Sequence, residues 1–205
     1  MPDIVLVGGG GHGVSAVEII RAGGRFTIRG YIDPASGGLV ERLGVDWLGG
    51  DDCLDTVIAS GASLALTIGQ IKSASARQAV GEKLLRAGAD LPVITALTAT
   101  LSAFSSAGDG TLIFHHALIN ASTTIGRFNI INSGAIVEHD SSTGDFVHIA
   151  PGAIVLGHAT IGNRTFIGAG AIIREGVTIG DDCIIGAGEV IKSDLKDGQI
   201  TNSNS

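Results

Sequence analysis

Large aliphatic residues recur at every sixth position from about residue 100 onward. Stepping by six from Ile113 to Ile191 gives fourteen positions, of which thirteen carry Ile or Val and one carries Thr143. Glycine follows six of these fourteen positions, and the residue four after them, from Ala117 to Glu189, is Ala, Ser, Thr, Val or Cys in all but two of thirteen cases, Asn129 and Glu189. Neither a helical period of 3.6 nor a strand period of 2 produces this register. The pattern predicts a solenoid in which glycine permits tight corners.

The first half of the chain has a different pattern, in which short apolar runs alternate with helical stretches. Strands are predicted at Ile4–Val7, Phe26–Ile32, Ser63–Ile68 and Leu91–Leu97, and helices at Val14–Ala22 and Ala74–Ala87. Alternation of this kind indicates βαβ units around a small parallel sheet.

The six-residue repeat resembles the hexapeptide repeat of left-handed parallel β-helices. In that fold three hexads, or 18 residues, form one triangular coil, and the aliphatic residue points inward. Fourteen hexads correspond to nearly five coils. We therefore expect three segments: an α/β domain with a small Rossmann-like parallel sheet over 1–99, a left-handed parallel β-helix over 100–195 and a C-terminal tail over 196–205.

Composition and charge exclude several classes of protein. The chain has 205 residues, 44% of them hydrophobic, a formal charge of -7 and no Lys/Arg cluster, so nonspecific binding to nucleic acid or to anionic membranes is not expected. Cys53 and Cys183 form neither a metal nor a disulfide pattern, which favours a reducing compartment. The N-terminus lacks the features of a signal peptide, and no apolar run approaches the ~20 residues of a membrane helix. A soluble cytoplasmic protein is expected.

Five of the six histidines fall between residues 115 and 158. The 18-residue coil places His139 beneath Gly157, Asp140 beneath His158, and His148 between Ile130 and Phe166. A histidine beside a carboxylate is what a general base needs, because the carboxylate orients the ring and stabilises the imidazolium. The alternative for Glu138-His139-Asp140 is a surface ion pair of little energetic value, and the motif alone leaves both interpretations open.

Clustered histidines also raise the possibility of zinc. Gamma-class carbonic anhydrases are left-handed β-helices with three histidine ligands, and their pattern includes a His-x4-His pair. Here the successive separations among the five histidines are 1, 23, 9 and 10 residues. Convergence of three imidazoles remains possible, but no metal cofactor is expected.

A second candidate site lies in the first half. Gly8-x-Gly10-x-x-Gly13 matches the dinucleotide fingerprint, and Asp33 follows twenty residues after Gly13. Amides at the start of a helix can receive phosphate oxygens. A complete dinucleotide fold needs six strands and this half has about four, so a nucleotide or nucleotide sugar is favoured over NAD. The alternative is that the glycines serve only strand–helix packing.

Together these motifs resemble the bacterial sugar O-acyltransferase family of sialic acid O-acetyltransferases and bacillosamine-pathway or perosamine N-acetyltransferases. The resemblance runs from Ile4 to about Asp194. Its most specific segments are Gly-Gly-His-Gly at 10–13, Tyr31-Ile32-Asp33, Thr67-Ile68-Gly69, 132–140 and 146–152. Members of this family depend on acetyl-CoA and are typically trimers with sites between subunits.

The resemblance implies a role for each matching residue. His139 would be the general base, Asp140 its carboxylate partner, and the Gly157 amide the oxyanion donor. Asn132 would place the acceptor sugar, and His148 would contact the acetyl thioester or the amine. Acetyl-CoA would be bordered by His148, Gly157, Ala169 and Ala187. The nucleotide would be held by Gly10, Gly11, His12, Gly13, Asp33, Ile68 and Gly69.

The expected activity is acetyl transfer from acetyl-CoA to the amino group of a UDP- or GDP-linked amino-deoxysugar, by a homotrimer without a metal. The alternatives are O-acetylation of sialic acid or another sugar, and a non-catalytic nucleotide-sugar-binding scaffold. The chain departs from the family at two places: it lacks the C-terminal Gly-x-Pro-Ala-Arg loop that helps to hold CoA, and Pro34 replaces a second Asp. Because the chain is acidic, backbone amides and the side chains of Arg164, Arg174 or Lys192 are expected to meet the phosphates.

Overall fold

The computed structural model describes residues 1–70 and 73–201. The chain divides into two compact units. The first consists of Met1–Gly69 and Ser75–Leu97, and the second of Gln70–Ala74 and Thr98–Ser205. Each unit has its own architecture and is described separately.

The first unit is a small α/β domain. Its strands are β1 (Asp3–Val7), β2 (Thr27–Ile32), β3 (Trp47–Gly49), β4 (Ser63–Leu66) and β5 (Ile94–Thr95), and its α-helices are α1 (Gly11–Gly23), α2 (Leu54–Ala59) and α3 (Ser75–Arg86). Two short 3₁₀ helices cover Leu39–Leu43 and Asp51–Cys53. The buried sides of β1, β4 and α1 form its core.

The sheet of this unit has four parallel strands in the order β3-β2-β1-β4. The α/β class of the N-terminal domain is therefore confirmed. The prediction that Leu91–Leu97 forms the fourth strand of this sheet is wrong. Within that span only the two-residue β5 is a strand, and the fourth position in the sheet belongs to β3. The three residues of β3 are too few to produce a hydrophobic period.

The second unit is a solenoid of two-residue strands. These are β6 (Thr100–Leu101), β7 (Ser106–Ala107), β8 (Leu112–Ile113), β9 (Leu118–Ile119), β10 (Thr124–Ile125), β11 (Ile130–Ile131), β12 (Ile136–Val137), β13 (Ser142–Thr143), β14 (His148–Ile149), β15 (Ile154–Val155), β16 (Thr160–Ile161), β17 (Phe166–Ile167), β18 (Ile172–Ile173), β19 (Thr178–Ile179), β20 (Ile184–Ile185) and β21 (Val190–Ile191). Each strand pairs with the strands three before and three after it in the chain, so three parallel sheets join the successive coils.

The register of these sheets has a spacing of 18 residues. Ile130 pairs with His148, and His148 pairs with Phe166. The aliphatic residues point inward and are fully buried, as at Ile131, Ile149 and Ile167. This is the architecture expected of a left-handed parallel β-helix of hexapeptide repeats, which confirms the predicted fold class.

The glycine that follows the aliphatic residue is required by close approach between coils. A Cβ on Gly126 would lie 2.3 Å from the carbonyl oxygen of Gly144, and a Cβ on Gly162 would lie 2.4 Å from the carbonyl carbon of Gly180. No side chain fits at such distances. The excess of glycine in the sequence therefore reflects, in part, the stacking of backbone on backbone.

Two of the three exceptions to the repeat, Thr143 and Asn129, are hydrogen-bonded to each other in the core. Asn129 is fully buried, and its Nδ2 donates to the Thr143 hydroxyl at 2.7 Å and to the Gly144 carbonyl at 3.0 Å. Its Oδ1 accepts from the Val147 N–H at 2.5 Å. A buried amide needs such partners. The Thr143 hydroxyl, at a position where the repeat otherwise has Ile or Val, supplies one for Asn129, at a position where the repeat otherwise has a small residue.

Replacing Thr143 with Val is expected to lower the free energy of unfolding by about 1–2 kcal/mol, because the shape is kept while a buried donor loses its acceptor. Urea unfolding at fixed protein concentration measures the loss. In an Asn129→Ala background the same replacement should cost much less, because the donor is already gone. An equal loss in both backgrounds would show that the Asn129–Thr143 hydrogen bond contributes nothing.

Part of the predicted C-terminal segment over 196–205 continues the stacking. Isolated parallel bridges join Leu195 to Ile179 and Ile200 to Ile184. Residues 202–205 of that segment lie outside the described residues. In the part of the chain that is described, no helix has the length and apolar character needed to cross a membrane.

Candidate active site

His139 and Asp140 lie at one corner of the solenoid, after strand β12. Asp140 has a φ of 58°, in the left-handed region, and its N–H donates to the Ala121 carbonyl of the preceding coil at 3.1 Å. This turn lets two consecutive side chains lie on the same side of the chain. His139 Nδ1 is 2.8 Å from Asp140 Oδ2.

The hydrogen bond determines which nitrogen of His139 carries the proton. A carboxylate only accepts, so Nδ1 carries the hydrogen and Nε2 keeps a lone pair. The same bond lowers the pKa of the Asp140 carboxyl below its ordinary value, with partial desolvation opposing it. In the neutral ring, the arrangement therefore leaves Nε2 as the proton acceptor with a carboxylate behind Nδ1, which is what a general base requires.

Gly157 lies directly against the imidazole of His139. A Cβ at this position would be 2.9 Å from Cε1 and 3.0 Å from Nε2 of His139, in agreement with the 18-residue coil. Among the described residues, the Gly157 N–H has no hydrogen-bond acceptor. A backbone donor beside the proton-accepting nitrogen is suited to stabilising an oxyanion.

A third side chain, His158, completes this corner. The backbone N–H of His158 donates to the His139 carbonyl at 3.0 Å, and the ring Nε2 of His158 lies 3.9 Å from Asp140 Oδ2. The two imidazoles are perpendicular, with ring centroids 5.4 Å apart. One ligand atom from each of His139, Asp140 and His158 lies within 4.8 Å of the others, so this group is the candidate position for a cation. The three residues are called the corner cluster below.

Asn132 and His148 form a second pair on the solenoid. The Asn132 amide nitrogen is 3.2 Å from His148 Nε2, and His148 Nδ1 is 2.8 Å from the Gln70 carbonyl oxygen. The carbonyl only accepts, so Nδ1 carries the hydrogen and Nε2 accepts from Asn132. The His148 side chain is buried, with its ring 5.1 Å from that of Phe166. A ligand that contacts Nε2 must therefore take the place of the Asn132 amide.

Gln70 has a role at this pair that sequence reasoning did not predict. Its side-chain Nε2 also donates to the Arg164 carbonyl at 2.9 Å, which fastens the segment to the solenoid. No motif or spacing relates residue 70 to residue 148, so nothing in the sequence could have indicated this contact.

Ala169 and Ala187 lie one above the other at an exposed corner, where the Gly188 N–H donates to the Ala169 carbonyl at 2.8 Å. Two of the basic residues considered for phosphates are engaged by carboxylates. Arg164 pairs with Asp182 at 2.7 Å, and Arg174 with Glu175 at 2.9 Å.

The glycine-rich turn between β1 and α1 contains two kinds of glycine. A Cβ on Gly9 would lie 2.4 Å from Tyr31, and one on Gly13 would lie 2.9 Å from the Gly8 carbonyl oxygen, so packing requires these glycines. A Cβ on Gly10 would meet nothing within 4 Å. Gly10 is also the N-cap of α1 and provides no side-chain cap. The open space and the helix N-terminus together suit close approach of an anionic ligand.

Asp33 lies beside this turn, at the carboxyl end of β2. Its Oδ2 accepts from the Gly9 N–H at 2.8 Å, and the Trp47 indole nitrogen donates to its carbonyl at 3.0 Å. On the other side, Ile68 packs on Gly8, and Gly69 lies against His12. The structure thus brings together all the residues that were expected to hold a nucleotide.

Family models match both units of the chain. Residues 136–175 and 158–192 match the bacterial transferase hexapeptide (six repeats), and residues 3–84 match the PglD N-terminal domain. None of the curated protein sequences compared with this chain matches it. Fold and sequence thus define a hexapeptide-repeat transferase.

Two solved structures specify the family further. PerB from Caulobacter crescentus, in complex with CoA and GDP-perosamine, is 34% identical over 99% of this chain and 95% of its own, with a TM-score of 0.89. The acetyltransferase domain of PglB from Neisseria gonorrhoeae FA1090, in complex with acetyl coenzyme A, is 30% identical over 98% and 96%, with a TM-score of 0.91. The chain belongs to this family of bacterial hexapeptide-repeat sugar acyltransferases.

Proposed function

We propose that the protein is an acetyl-CoA-dependent N-acetyltransferase that acts on the amino group of a UDP- or GDP-linked amino-deoxysugar. The observation that carries the proposal is the corner geometry: His139 presents Nε2, with Asp140 behind its Nδ1 and the Gly157 N–H beside it. The comparisons support it, because PerB was solved with CoA and GDP-perosamine and the PglB domain with acetyl coenzyme A.

In the proposed mechanism, the neutral sugar amine attacks the thioester carbonyl carbon. His139 Nε2 takes the proton from the attacking nitrogen, and Asp140 stabilises the imidazolium that forms. The Gly157 N–H donates to the oxyanion of the tetrahedral intermediate. The C–S bond then breaks, CoA leaves, and the proton on His139 returns to the departing sulfur. Asn132 places the sugar, and His148, Ala169 and Ala187 border acetyl-CoA.

The first unit holds the nucleotide in this proposal. Amides of the turn at Gly10, Gly11 and Gly13 receive phosphate oxygens, with His12, Ile68 and Gly69 at the sides of the pocket. Asp33 keeps the turn in place through Gly9. The phosphates are met by backbone N–H groups, which explains how an acidic chain can bind an anionic substrate.

Replacing Asp33 with Ala is expected to raise KM for the nucleotide sugar about tenfold with little change in kcat, because one charged hydrogen bond at the turn is lost and Asp33 has no role in the proposed chemical step. Steady-state kinetics at saturating acetyl-CoA measures both constants. Asp52→Ala, which removes an exposed aspartate of the same unit, should leave both unchanged. A fall in kcat alone would contradict this role.

We further propose that the enzyme is a cytoplasmic homotrimer that needs no metal for catalysis. Its two cysteines are unpaired, as expected in a reducing compartment. Sedimentation of the untagged protein tests the assembly. A monomer that is fully active would contradict the trimer.

O-acetylation of a sugar is the second candidate. The presence of a candidate base, His139, favours O-acetylation in one respect, because a hydroxyl needs a base more than a neutral amine does. The nucleotide pocket favours the amino-sugar substrate, because free sialic acid carries no nucleotide.

Ligand-induced thermal shifts separate an enzyme from a scaffold. Acetyl-CoA and a nucleotide sugar should each raise the unfolding temperature, because each binds only the folded state. A shift with the nucleotide sugar alone would indicate a scaffold.

A further inference from the structure

We propose that the corner cluster of His139, Asp140 and His158 is a binding site for Zn²⁺, and that zinc bound there inhibits the enzyme. Binding follows from the geometry of the cluster alone. Inhibition rests on the proposed function, since it requires His139 to be the base.

The backbone holds all three ligands in place. Asp140 and His158 have φ values of 58° and 59°, and their N–H groups donate to the carbonyls of Ala121 and His139 in the coils below. The His139 ring is confined on one side by Gly157. A site whose ligands stand on stacked coils has little backbone freedom to lose when a metal binds.

The distances suit a tetrahedral ion. At zinc bond lengths of about 2.0–2.2 Å, two ligand atoms lie about 3.3–3.5 Å apart. Asp140 Oδ2 is 2.8 Å from His139 Nδ1 and 3.9 Å from His158 Nε2, which brackets that value. The His158 side chain is 68% exposed, so rotation of its ring meets little obstruction.

The donor set favours zinc over hard cations. Two imidazole nitrogens and one carboxylate oxygen, with a fourth position left for water, form a common zinc arrangement, whereas Mg²⁺ and Ca²⁺ require oxygen ligands. Within residues 1–70 and 73–201 this is the group of three His, Cys, Asp or Glu side chains whose ligand atoms converge in this way.

The chemical consequence follows from the tautomer of His139. Zinc binds the Nδ1 lone pair, so the hydrogen that Nδ1 carried moves through solvent to Nε2 and the ring stays neutral. Nε2 then bears a hydrogen and has no lone pair for the amine proton, while the Asp140 oxygen is taken by the metal. No proton is gained or lost overall, and the base is switched off. Zinc is therefore an inhibitor here, not a cofactor.

The binding test uses untagged, chelator-treated protein titrated with ZnCl₂ against a chromogenic chelator. The wild type should bind one zinc per chain. His158→Asn, which suits the left-handed backbone, should bind at least about tenfold more weakly, since loss of an outer partner alone costs 10–100-fold. His116→Asn is the matched control, an exposed corner histidine with a φ of 59°, and should bind as the wild type does.

Wild-type binding that His158→Asn does not weaken, or no binding at tens of micromolar zinc, would overturn the site. In the activity arm, each variant is compared with its own zinc-free rate. The zinc concentration for half inhibition should follow the dissociation constant and rise with it in His158→Asn. Full activity of the zinc-saturated wild type would overturn the inhibition. Because binding is measured without turnover, the site stands or fails independently of the acetyltransferase proposal.

Discussion

Replacing His139 with Ala is expected to lower kcat by about 10²–10⁴, the range typical for loss of a general base. In the neutral ring, the Asp140 hydrogen bond to Nδ1 leaves the lone pair of His139 on Nε2. The measurement is steady-state turnover of acetyl-CoA with saturating amino-sugar nucleotide. KM for either substrate should change little, because the base acts in the transition state.

His116→Ala is the control, because it removes an exposed histidine from another corner of the solenoid. It should retain the wild-type rate. Asp140→Asn should lose less than His139→Ala, because the base remains and only its orientation and charge support are weakened. Near-normal turnover by pure, folded His139→Ala would exclude His139 as the base.

Replacing Gly157 with Ala is expected to lower kcat about 10²-fold. The added Cβ would lie 3.0 Å from His139 Nε2, closer than packed atoms tolerate, so the exposed imidazole must turn away. Misplacement of a reacting group by about 1 Å costs about this factor. The backbone N–H is retained, so the loss would report on the position of the base.

Gly23→Ala is the matched control, because a Cβ at that helix position meets nothing within 4 Å. It should keep full activity. Thermal unfolding of both variants separates misfolding from misplacement. A folded Gly157→Ala enzyme with wild-type kcat would show that His139 does not act from the position seen here.

The sequence was most informative where one rule governs many residues. The resemblance of the six-residue repeat to left-handed β-helices implied an 18-residue coil. That spacing put Gly157 over His139 and His148 between Ile130 and Phe166, where the structure has them. A repeat is predictable because every coil buries its aliphatic residues in the same way, so one exceptional hexad does not change the positions predicted for the others.

Features with only one instance were not predictable. Strand β3 has three residues, and two of them, Trp47 and Leu48, are exposed, so it carries no alternation. The Thr143–Asn129 hydrogen bond looked like two unrelated exceptions, because the two residues occupy different columns of the repeat. Their pairing depends on the three-dimensional closure of the coil.

The candidate site shows the same division. His139 and Asp140 are adjacent in sequence, and the Gly-rich turn has a recognisable spacing, so both could be proposed from the sequence. The contact of Gln70 with His148 joins residues 78 apart, through a backbone carbonyl that any residue type provides.

Acetyl transfer by the purified protein is the most direct test of the proposed function. The untagged protein is incubated with acetyl-CoA and a panel of UDP- and GDP-linked 3-amino and 4-amino sugars, with matched sugars that carry a hydroxyl instead. Thiol release is followed, and the product is analysed by mass spectrometry and NMR. One acetyl group, in an amide bond, is expected on at least one amino sugar and none on its hydroxyl counterpart. Transfer to hydroxyl groups alone, or no transfer to any member of the panel, would contradict the proposed function.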